Sequence, residues 1–242
     1  MTSITVLQSA ADTRPDWVSR CMTSVADWCQ RQGYHYHCIG DELFDWVTRE
    51  LRVKLQDRAP ILADLARLRW IEAELPVRGG LVVWIDADTV VVDPTWRIPD
   101  STHTLFGEEC WVQPTAEEAW RAYQSPHNAF MGFTAASPVL GFLAYLSESI
   151  IERADAAHIA PQMVGPKLLK ALNNLAQFKL VPEAGAASPE LLAEWVGEAG
   201  PAHACYRQAA RPQLALVNLC SSLTHSEEDV ERVEQFLARH GT

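Results

Sequence analysis

The chain of 242 residues carries 31 acidic against 20 basic side chains, a formal net charge of −11. This excess of negative charge argues against a nucleic-acid partner, because phosphate backbones are bound by clustered Lys and Arg. Apolar residues make up 48% of the chain, yet no apolar run approaches the roughly 18 residues of a membrane span. We therefore expect a single globular domain over residues 1–242 with no transmembrane segment.

The amino terminus and the cysteines bear on location. Residues 1–15 lack the basic start and apolar run of a secretory signal. The six cysteines show neither a C-x-x-C pair nor zinc-type spacing, which favours free thiols in a reducing compartment. These features predict a cytoplasmic protein.

The first third of the chain alternates short apolar runs with amphipathic segments. β-branched runs bounded by turn residues predict strands, and apolar side chains near helical spacing predict helices between them. Such alternation is typical of an α/β fold. It predicts strands at residues 4–8 and 34–39 and helices at residues 14–31, 43–56 and 60–75.

The pattern of the second half is less regular, and Pro and Gly set most of the expected boundaries. Residues 184–204 are rich in Ala, Gly and Pro and predict a long, partly mobile connection. The remaining segments predict strands at residues 104–107, 128–133, 178–181 and 214–219, and helices at residues 117–123, 138–153, 167–175 and from 226 onward.

Residues 79–94 form the most informative stretch. Gly79 and Gly80 precede a continuous apolar run, which predicts a strand buried on both faces. That strand ends at Asp86 and Asp88, and open α/β sheets bind ligands at the carboxyl ends of their strands. Two carboxylates together with substrate phosphates satisfy the oxygen-preferring ions Mn²⁺ and Mg²⁺. We therefore predict that Asp86 and Asp88 bind such an ion.

A wider pattern carries a resemblance. The segment DLAR at residues 64–67, an apolar helix, the glycine pair and VWIDAD at residues 83–88 resemble the signature of DXD-containing glycosyltransferases of the GT-A fold. The pattern is more narrowly similar to the sugar-binding-region family of capsular polysaccharide and initiating α-mannosyltransferases, with clostridial glucosylating toxins as distant relatives. The resemblance implies a Rossmann-like mixed sheet flanked by helices.

The same resemblance implies an activity. A metal-dependent enzyme would transfer a hexose from a nucleoside-diphosphate sugar to a hydroxyl of a saccharide, lipid-linked or protein acceptor, with retention of configuration. Asp86 and Asp88 would be the catalytic residues, holding Mn²⁺ or Mg²⁺ and the nucleotide sugar. In that mechanism the ion stabilises the departing diphosphate.

Further residues receive roles from the resemblance. Asp64 and Arg67, three apart on one helix face, fit an ordinary surface ion pair when taken alone. The resemblance instead implies that they reach donor-sugar and ribose hydroxyls. It also implies donor contacts from Asp86, Gln8, Asn128 and Gly165 and a metal ligand at His225, for which the alternative is an ordinary surface histidine. Lys167, which follows the Gly165–Pro166 pair, is a candidate for contact with a donor phosphate, and its alternative is a solvated lysine.

Two alternatives remain open at this stage. An apolar strand followed by Asp86 and Asp88 also fits a haloacid-dehalogenase-type phosphatase in which Asp86 attacks phosphorus. The acidic segment at residues 40–45 resembles the metal motif of such enzymes, although it precedes the nucleophile strand instead of following it. The other alternative is a catalytically silent nucleotide-sugar-binding module on the same fold.

Overall fold

The computed structural model of the protein describes residues 3–101, 103–117, 119–155, 158–160, 162–209, 212–220 and 226–240. The strands are β1 (Ile4–Ser9), β2 (His35–Ile39), β3 (Leu81–Ile85), β4 (Thr89–Val91), β5 (Thr104–Pro114), β6 (Trp120–Thr134), β7 (Leu180–Val181), β8 (Ala184–Ala186) and β9 (Leu216–Asn218). The α-helices are α1 (Asp16–Gln32), α2 (Arg49–Lys54), α3 (Ala59–Arg78), α4 (Leu140–Arg153), α5 (Pro166–Ala176), α6 (Pro189–Val196), α7 (Pro201–Gln208) and α8 (Glu227–His240), with a 3-10 helix at Asp41–Trp46.

The larger sheet has six strands in the order β2-β1-β3-β6-β5-β7. Strand β1 lies between β2 and β3 and is parallel to both. Strand β6 runs antiparallel to β3 on its other side, which makes the sheet mixed. Because β1 and β3 are parallel, their carboxyl ends meet at the same edge of the sheet.

Helices cover both faces of this sheet. Val82 and Trp84 of β3 point to one side and belong to a core cluster that includes the buried residues of α3. Leu81, Val83 and Ile85 point to the other side and pack in a cluster with buried residues of α1. This alternation follows from the two-residue period of a strand. The predicted burial of β3 on both faces is therefore confirmed.

The glycine pair forms the link between α3 and β3. Helix α3 continues past Pro76 to Arg78, three residues beyond its predicted end. Gly79 and Gly80 then take positive φ angles of 65° and 64°, which residues with a side chain rarely adopt. A Cβ on Gly80 would also lie 2.1 Å from the carbonyl oxygen of Ser3. The pair thus allows the chain to turn from the helix into the central strand.

A second, three-stranded sheet has the order β4-β9-β8. Strand β4 begins directly after Asp88, and it pairs antiparallel with β9. The register places Thr89 opposite Asn218. The small sheet therefore brings the far end of the chain beside the aspartates that follow β3.

The helix predicted over residues 117–123 is wrong. Strand β6 begins at Trp120 and pairs with β5 along a long hairpin that runs from the Pro114–Trp120 pair into the sheet. The Thr115 N–H donates to the Ala119 carbonyl at 2.7 Å and closes the turn. Local helix preference is a weak signal, and here the cross-strand pairing overrides it.

The mobile connection predicted over residues 184–204 is also wrong, because it contains β8, α6 and part of α7. Ser188 caps α6 by accepting a hydrogen bond from the Leu191 N–H. The Glu194 carboxylate accepts from the N–H groups of Gly200, Ala202 and His203, which fixes the start of α7. These side-chain caps satisfy the orphan donors of both helices.

Other elements differ mainly in extent. The helix predicted over residues 43–56 is a 3-10 helix followed by the short α2. The last two predicted strands are reduced to β7 and β9. All six cysteines are free thiols, as predicted. No helix within the described ranges is long and apolar enough to cross a membrane.

Candidate functional site

A cavity of about 700 Å³ opens where β1 and β3 end. Ala10 lines it after β1, and Asp86 and Asp88 line it after β3. The first turns of α3, the Asn128 side of β6 and Pro166 at the start of α5 complete the wall. We call it the carboxylate cavity. Its volume falls in the range of roughly 300–1,000 Å³ that small-molecule sites occupy.

Arg67 lies at the centre of the polar contacts in the carboxylate cavity. Its Nη1 donates to Asp86 Oδ1 at 2.8 Å and to the Asn128 carbonyl at 3.1 Å. Its Nη2 lies 3.0 Å from Asp64 Oδ1, and its guanidinium carbon lies 5.2 Å from the centroid of the Trp84 ring. Asp64 and Arg67 are only 7% and 8% exposed. The interpretation of this pair as a surface ion pair is therefore wrong.

Asp64 is a buried carboxylate with two partners on one oxygen. Its Oδ1 accepts a hydrogen bond from Asn128 Nδ2 at 2.7 Å and forms an ion pair with Arg67 Nη2 at 3.0 Å. Burial raises the pKa of Asp64 to about 6 although Arg67 and Asn128 favour the charged form, and nearby Asp86 raises it further. Burial alone would lower the pKa of Arg67, but Asp86 and Asp64 outweigh it and the pKa is raised. Arg67 therefore stays charged.

Asp86 is held by both its side chain and its backbone. Trp84 Nε1 donates to the same Oδ1 that Arg67 contacts, at 2.5 Å. The Asp86 N–H donates to the Ala129 carbonyl of β6, and Gln8 Nε2 donates to the Asp86 carbonyl at 3.1 Å. These contacts fix where the carboxylate points as it leaves β3.

Asp88 is fixed from the small sheet. Asn218 Nδ2 donates to Asp88 Oδ1 at 2.6 Å, and the Leu219 N–H donates to the Asp88 carbonyl. Asp88 is 8% exposed, and it lines the cavity together with Asn218. The distant β9 thus positions the second carboxylate of the pair.

The end of β3 supplies two carboxylates to the carboxylate cavity. Asp86 and Asp88 offer carboxylate oxygens on one cavity wall, which Mn²⁺ and Mg²⁺ prefer. Among the described residues, no group of three or more His, Cys, Asp or Glu side chains could hold a metal ion. These two residues would hold the ion, with substrate phosphates and water as the other ligands.

The predicted site residues fall into two groups. Asp64, Arg67, Asp86, Asp88 and Asn128 all line the carboxylate cavity. They come from α3, the end of β3 and β6, and the network around Arg67 joins most of them. The structure therefore gathers five of the predicted residues around one cavity.

The remaining predicted residues lie elsewhere. Gly165 packs behind Asp64, where a Cβ would come within 2.5 Å of Asp64 Oδ2. Gln8 is fully buried between Tyr36 and the Asp86 backbone and supports the strand end. Lys167 is exposed and is not among the side chains that line the cavity. His225 lies outside the described residues.

Two site residues were missed by the sequence analysis. Trp84 precedes Asp86 by two positions on a strand, and this period was a signal that both point to the same side. Asn218 is the one polar residue in the apolar run at 214–219, which was a weaker signal. The contact between Asn218 and Asp88 spans 130 residues, and no local pattern indicates it.

The chain is similar to a known protein in its fold, whereas its sequence matches no family model. No curated protein sequence matches it either. Among solved structures, the fold is similar to one described as the crystal structure of a glycosyltransferase involved in the glycosylation of the major capsid of PBCV-1. The TM-score is 0.52 at 14% identity, and the match covers 98% of this chain and 99% of that chain. The predicted fold class, a glycosyltransferase-type mixed sheet flanked by helices, is therefore confirmed.

Proposed function

We propose that the protein is a metal-dependent glycosyltransferase that transfers a hexose from a nucleoside-diphosphate sugar to an acceptor hydroxyl. The observation that carries the proposal is the convergence of Asp64, Arg67, Asp86 and Asp88 on one cavity at the carboxyl ends of β1 and β3. The likeness of the whole fold to a solved glycosyltransferase supports it. The DLAR and VWIDAD segments, from which the resemblance was drawn, supply these four residues.

Some residues of the site would bind the ion, and others hold the carboxylates in position. Asp86 and Asp88 would hold Mn²⁺ or Mg²⁺, which when bound neutralises the charge of the departing diphosphate. Arg67 holds Asp86 and Asp64 in place and keeps their negative charge compensated before substrate arrives. Asp64 and Asn128 would form hydrogen bonds with hydroxyls of the donor sugar. Retention of configuration follows from the resemblance and belongs to the proposal.

One observation favours the phosphatase alternative. Asp41, from the acidic segment at residues 40–45, lines the same cavity as Asp86. However, Asp86 Oδ1 already accepts hydrogen bonds from Arg67 and Trp84, which stabilise its charge and lower its reactivity as a nucleophile. Holding a cation and a nucleotide sugar suits this arrangement better than attack on phosphorus.

The deciding assay is release of nucleoside diphosphate from a panel of nucleotide sugars with and without Mn²⁺. We expect Mn²⁺-dependent release by the wild-type protein. Asp88→Asn keeps an oxygen acceptor for Asn218 but removes the charge that would bind the ion, so release should fall by about 100-fold or more. Asp93→Asn is the matched control, because Asp93 is an aspartate after the next strand, β4, and does not line the cavity.

The outcomes separate the three hypotheses. Asp88→Asn with wild-type turnover would refute the metal role of this residue. Hydrolysis of p-nitrophenyl phosphate that is lost in Asp86→Asn would identify a phosphatase instead. A wild-type protein with neither activity would leave the catalytically silent module.

A further inference from the structure

A second cavity, of about 440 Å³, lies against the β5–β6 hairpin. Its wall is one face of the paired strands, because Glu109 lies opposite Ser125 and Trp111 lies opposite Tyr123. Gln113 continues the same face along β5, since residues two apart on a strand point the same way. We call this the hairpin cavity. It is lined by Glu109, Trp111, Gln113, Tyr123, Ser125, Gln162, Pro166 and Lys170.

The hairpin cavity adjoins the carboxylate cavity. Gln162 and Pro166 line both of them. Both residues lie at the start of α5 or just before it. This segment therefore separates the hairpin cavity from the carboxylate cavity. A group bound on the hairpin side would lie next to a sugar held on the carboxylate side.

The lining of the hairpin cavity has the mixed chemistry that carbohydrates need. A pyranose ring presents an apolar face of C–H groups and a polar rim of hydroxyls. Trp111 and Tyr123 offer aromatic rings on which the apolar face of a sugar can stack. The guanidinium carbon of Arg121 lies 5.2 Å from the centroid of the Tyr123 ring, a cation–π contact. For the hydroxyls, the lining residues offer a carboxylate, two amides, two hydroxyls and an ammonium group.

We propose that the hairpin cavity binds the acceptor, and that the acceptor is a saccharide that stacks on Trp111 and Tyr123 and hydrogen-bonds Glu109. This inference rests on the proposed function, since it names the acceptor class of that reaction. A lipid chain would need a continuous apolar wall, and here charged and amide side chains interrupt the aromatic ones.

The environment of Glu109 agrees with a binding role. Burial raises its pKa to about 7, and Lys170 on α5 opposes this shift. A half-buried carboxylate facing a cavity is costly to maintain unless a partner satisfies it. Sugar hydroxyls donate the hydrogen bonds that such a group accepts.

The test is saturation-transfer NMR with methyl α- and β-hexopyranosides of glucose, galactose and mannose as probes. The sample contains the diamagnetic ion Mg²⁺ and a saturating nucleoside diphosphate, so that the carboxylate cavity is filled. We expect at least one glycoside to bind the wild-type protein. Trp111→Ala and Tyr123→Ala should each weaken it at least about fivefold, which is typical for truncation of an aromatic anchor.

Two controls keep this test separate from the proposed function. Tyr145→Ala removes an aromatic side chain that is 58% exposed and lines neither cavity, so glycoside binding should not change. Thermal stabilisation by nucleoside diphosphate and Mn²⁺ reports the carboxylate cavity, which Trp111 and Tyr123 do not line. If this stabilisation persists while no glycoside binds, or binds equally to both variants, the acceptor proposal is wrong and the donor proposal survives.

Discussion

The carboxylate cavity and the hairpin cavity differ in how their polar side chains are held. In the carboxylate cavity, Arg67 joins Asp64 and Asp86 through contacts of 2.8 to 3.0 Å, and these groups are largely buried. In the hairpin cavity, the side chains project from two paired strands, and Tyr123 keeps 37% of its surface exposed. A site for charged phosphates benefits from fixed electrostatics, whereas a saccharide site needs accessible faces and hydrogen-bonding groups.

The largest effect is expected where the buried charges depend on each other. Arg67→Met keeps much of the side-chain length but leaves Asp64 and Asp86 without their cation. We expect the free energy of unfolding to fall by about 3–5 kcal/mol, measured by urea denaturation at neutral pH, because an uncompensated buried charge remains.

A matched surface pair provides the control for this loss. Arg20 contacts Glu234 at 2.6 Å, but the two side chains are 36% and 27% exposed. Arg20→Met should therefore cost no more than about 1 kcal/mol. Adding Asp64→Asn to Arg67→Met should recover part of the loss, since it removes one unpaired charge. Equal costs for Arg67→Met and Arg20→Met would contradict the buried network.

The next effect tests the packing behind the carboxylates. A Cβ added to Gly165 would lie 2.5 Å from Asp64 Oδ2 and 2.8 Å from Asn128 Nδ2. We expect Gly165→Ala to lower the free energy of unfolding by about 1–3 kcal/mol through overpacking. It should also weaken nucleoside-diphosphate binding, because Asp64 and Asn128 both line the carboxylate cavity.

Gly141→Ala is the control for this substitution. Gly141 lies near the start of α4, and the nearest atom to its added Cβ is 3.5 Å away, at ordinary contact distance. The free energy of unfolding should rise by up to about 1 kcal/mol, because alanine favours a helix more than glycine does. If both variants are destabilised to a similar degree, the loss at Gly165 does not come from a close contact of the new Cβ with Asp64 and Asn128.

The two cavities also differ in how far the sequence could predict them. The helix period places Asp64 and Arg67 on one face of α3, and Asp86 and Asp88 directly follow the apolar run of β3, so two short segments supply all four residues. Their convergence on one site was expected only from the resemblance of these segments to a known signature. The hairpin cavity depends on β6, whose first residues carry a helix-like pattern that the pairing with β5 overrides. Pairing between distant segments leaves little trace in local sequence, so neither the cavity nor Glu109 could be predicted.

The same limit applies at the edge of the carboxylate cavity. Asn218 reaches Asp88 only because β4 and β9 pair, and β9 is a three-residue strand. Residues 184–204, which contain β8, α6 and the start of α7, were expected to be a partly mobile connection, since their Ala, Gly and Pro content is typical of loops. Their order comes from caps and from packing in the cluster of Leu191, Trp195 and Val217.

The smallest effect is a change of stability with pH at Glu109. Its pKa is raised from the usual 4.5 to about 7 in the folded protein, so folding favours the protonated carboxyl. This contribution is fully present below pH 4.5 and is lost as the pH rises through 7. The glutamine of Glu109→Gln would stay neutral at every pH. The free energy of unfolding of Glu109→Gln minus that of the wild type should therefore increase by on the order of 2 kcal/mol from pH 5 to pH 8.

Glu152→Gln removes an exposed carboxylate on α4 and serves as the control, for which the difference from wild type should stay flat over the same range. Thermal denaturation followed by circular dichroism at several pH values measures both differences. If Glu109→Gln also gives a flat difference, Glu109 is solvated in the folded protein. The hairpin cavity would then lack the partly desolvated carboxylate that distinguishes it from an ordinary surface groove.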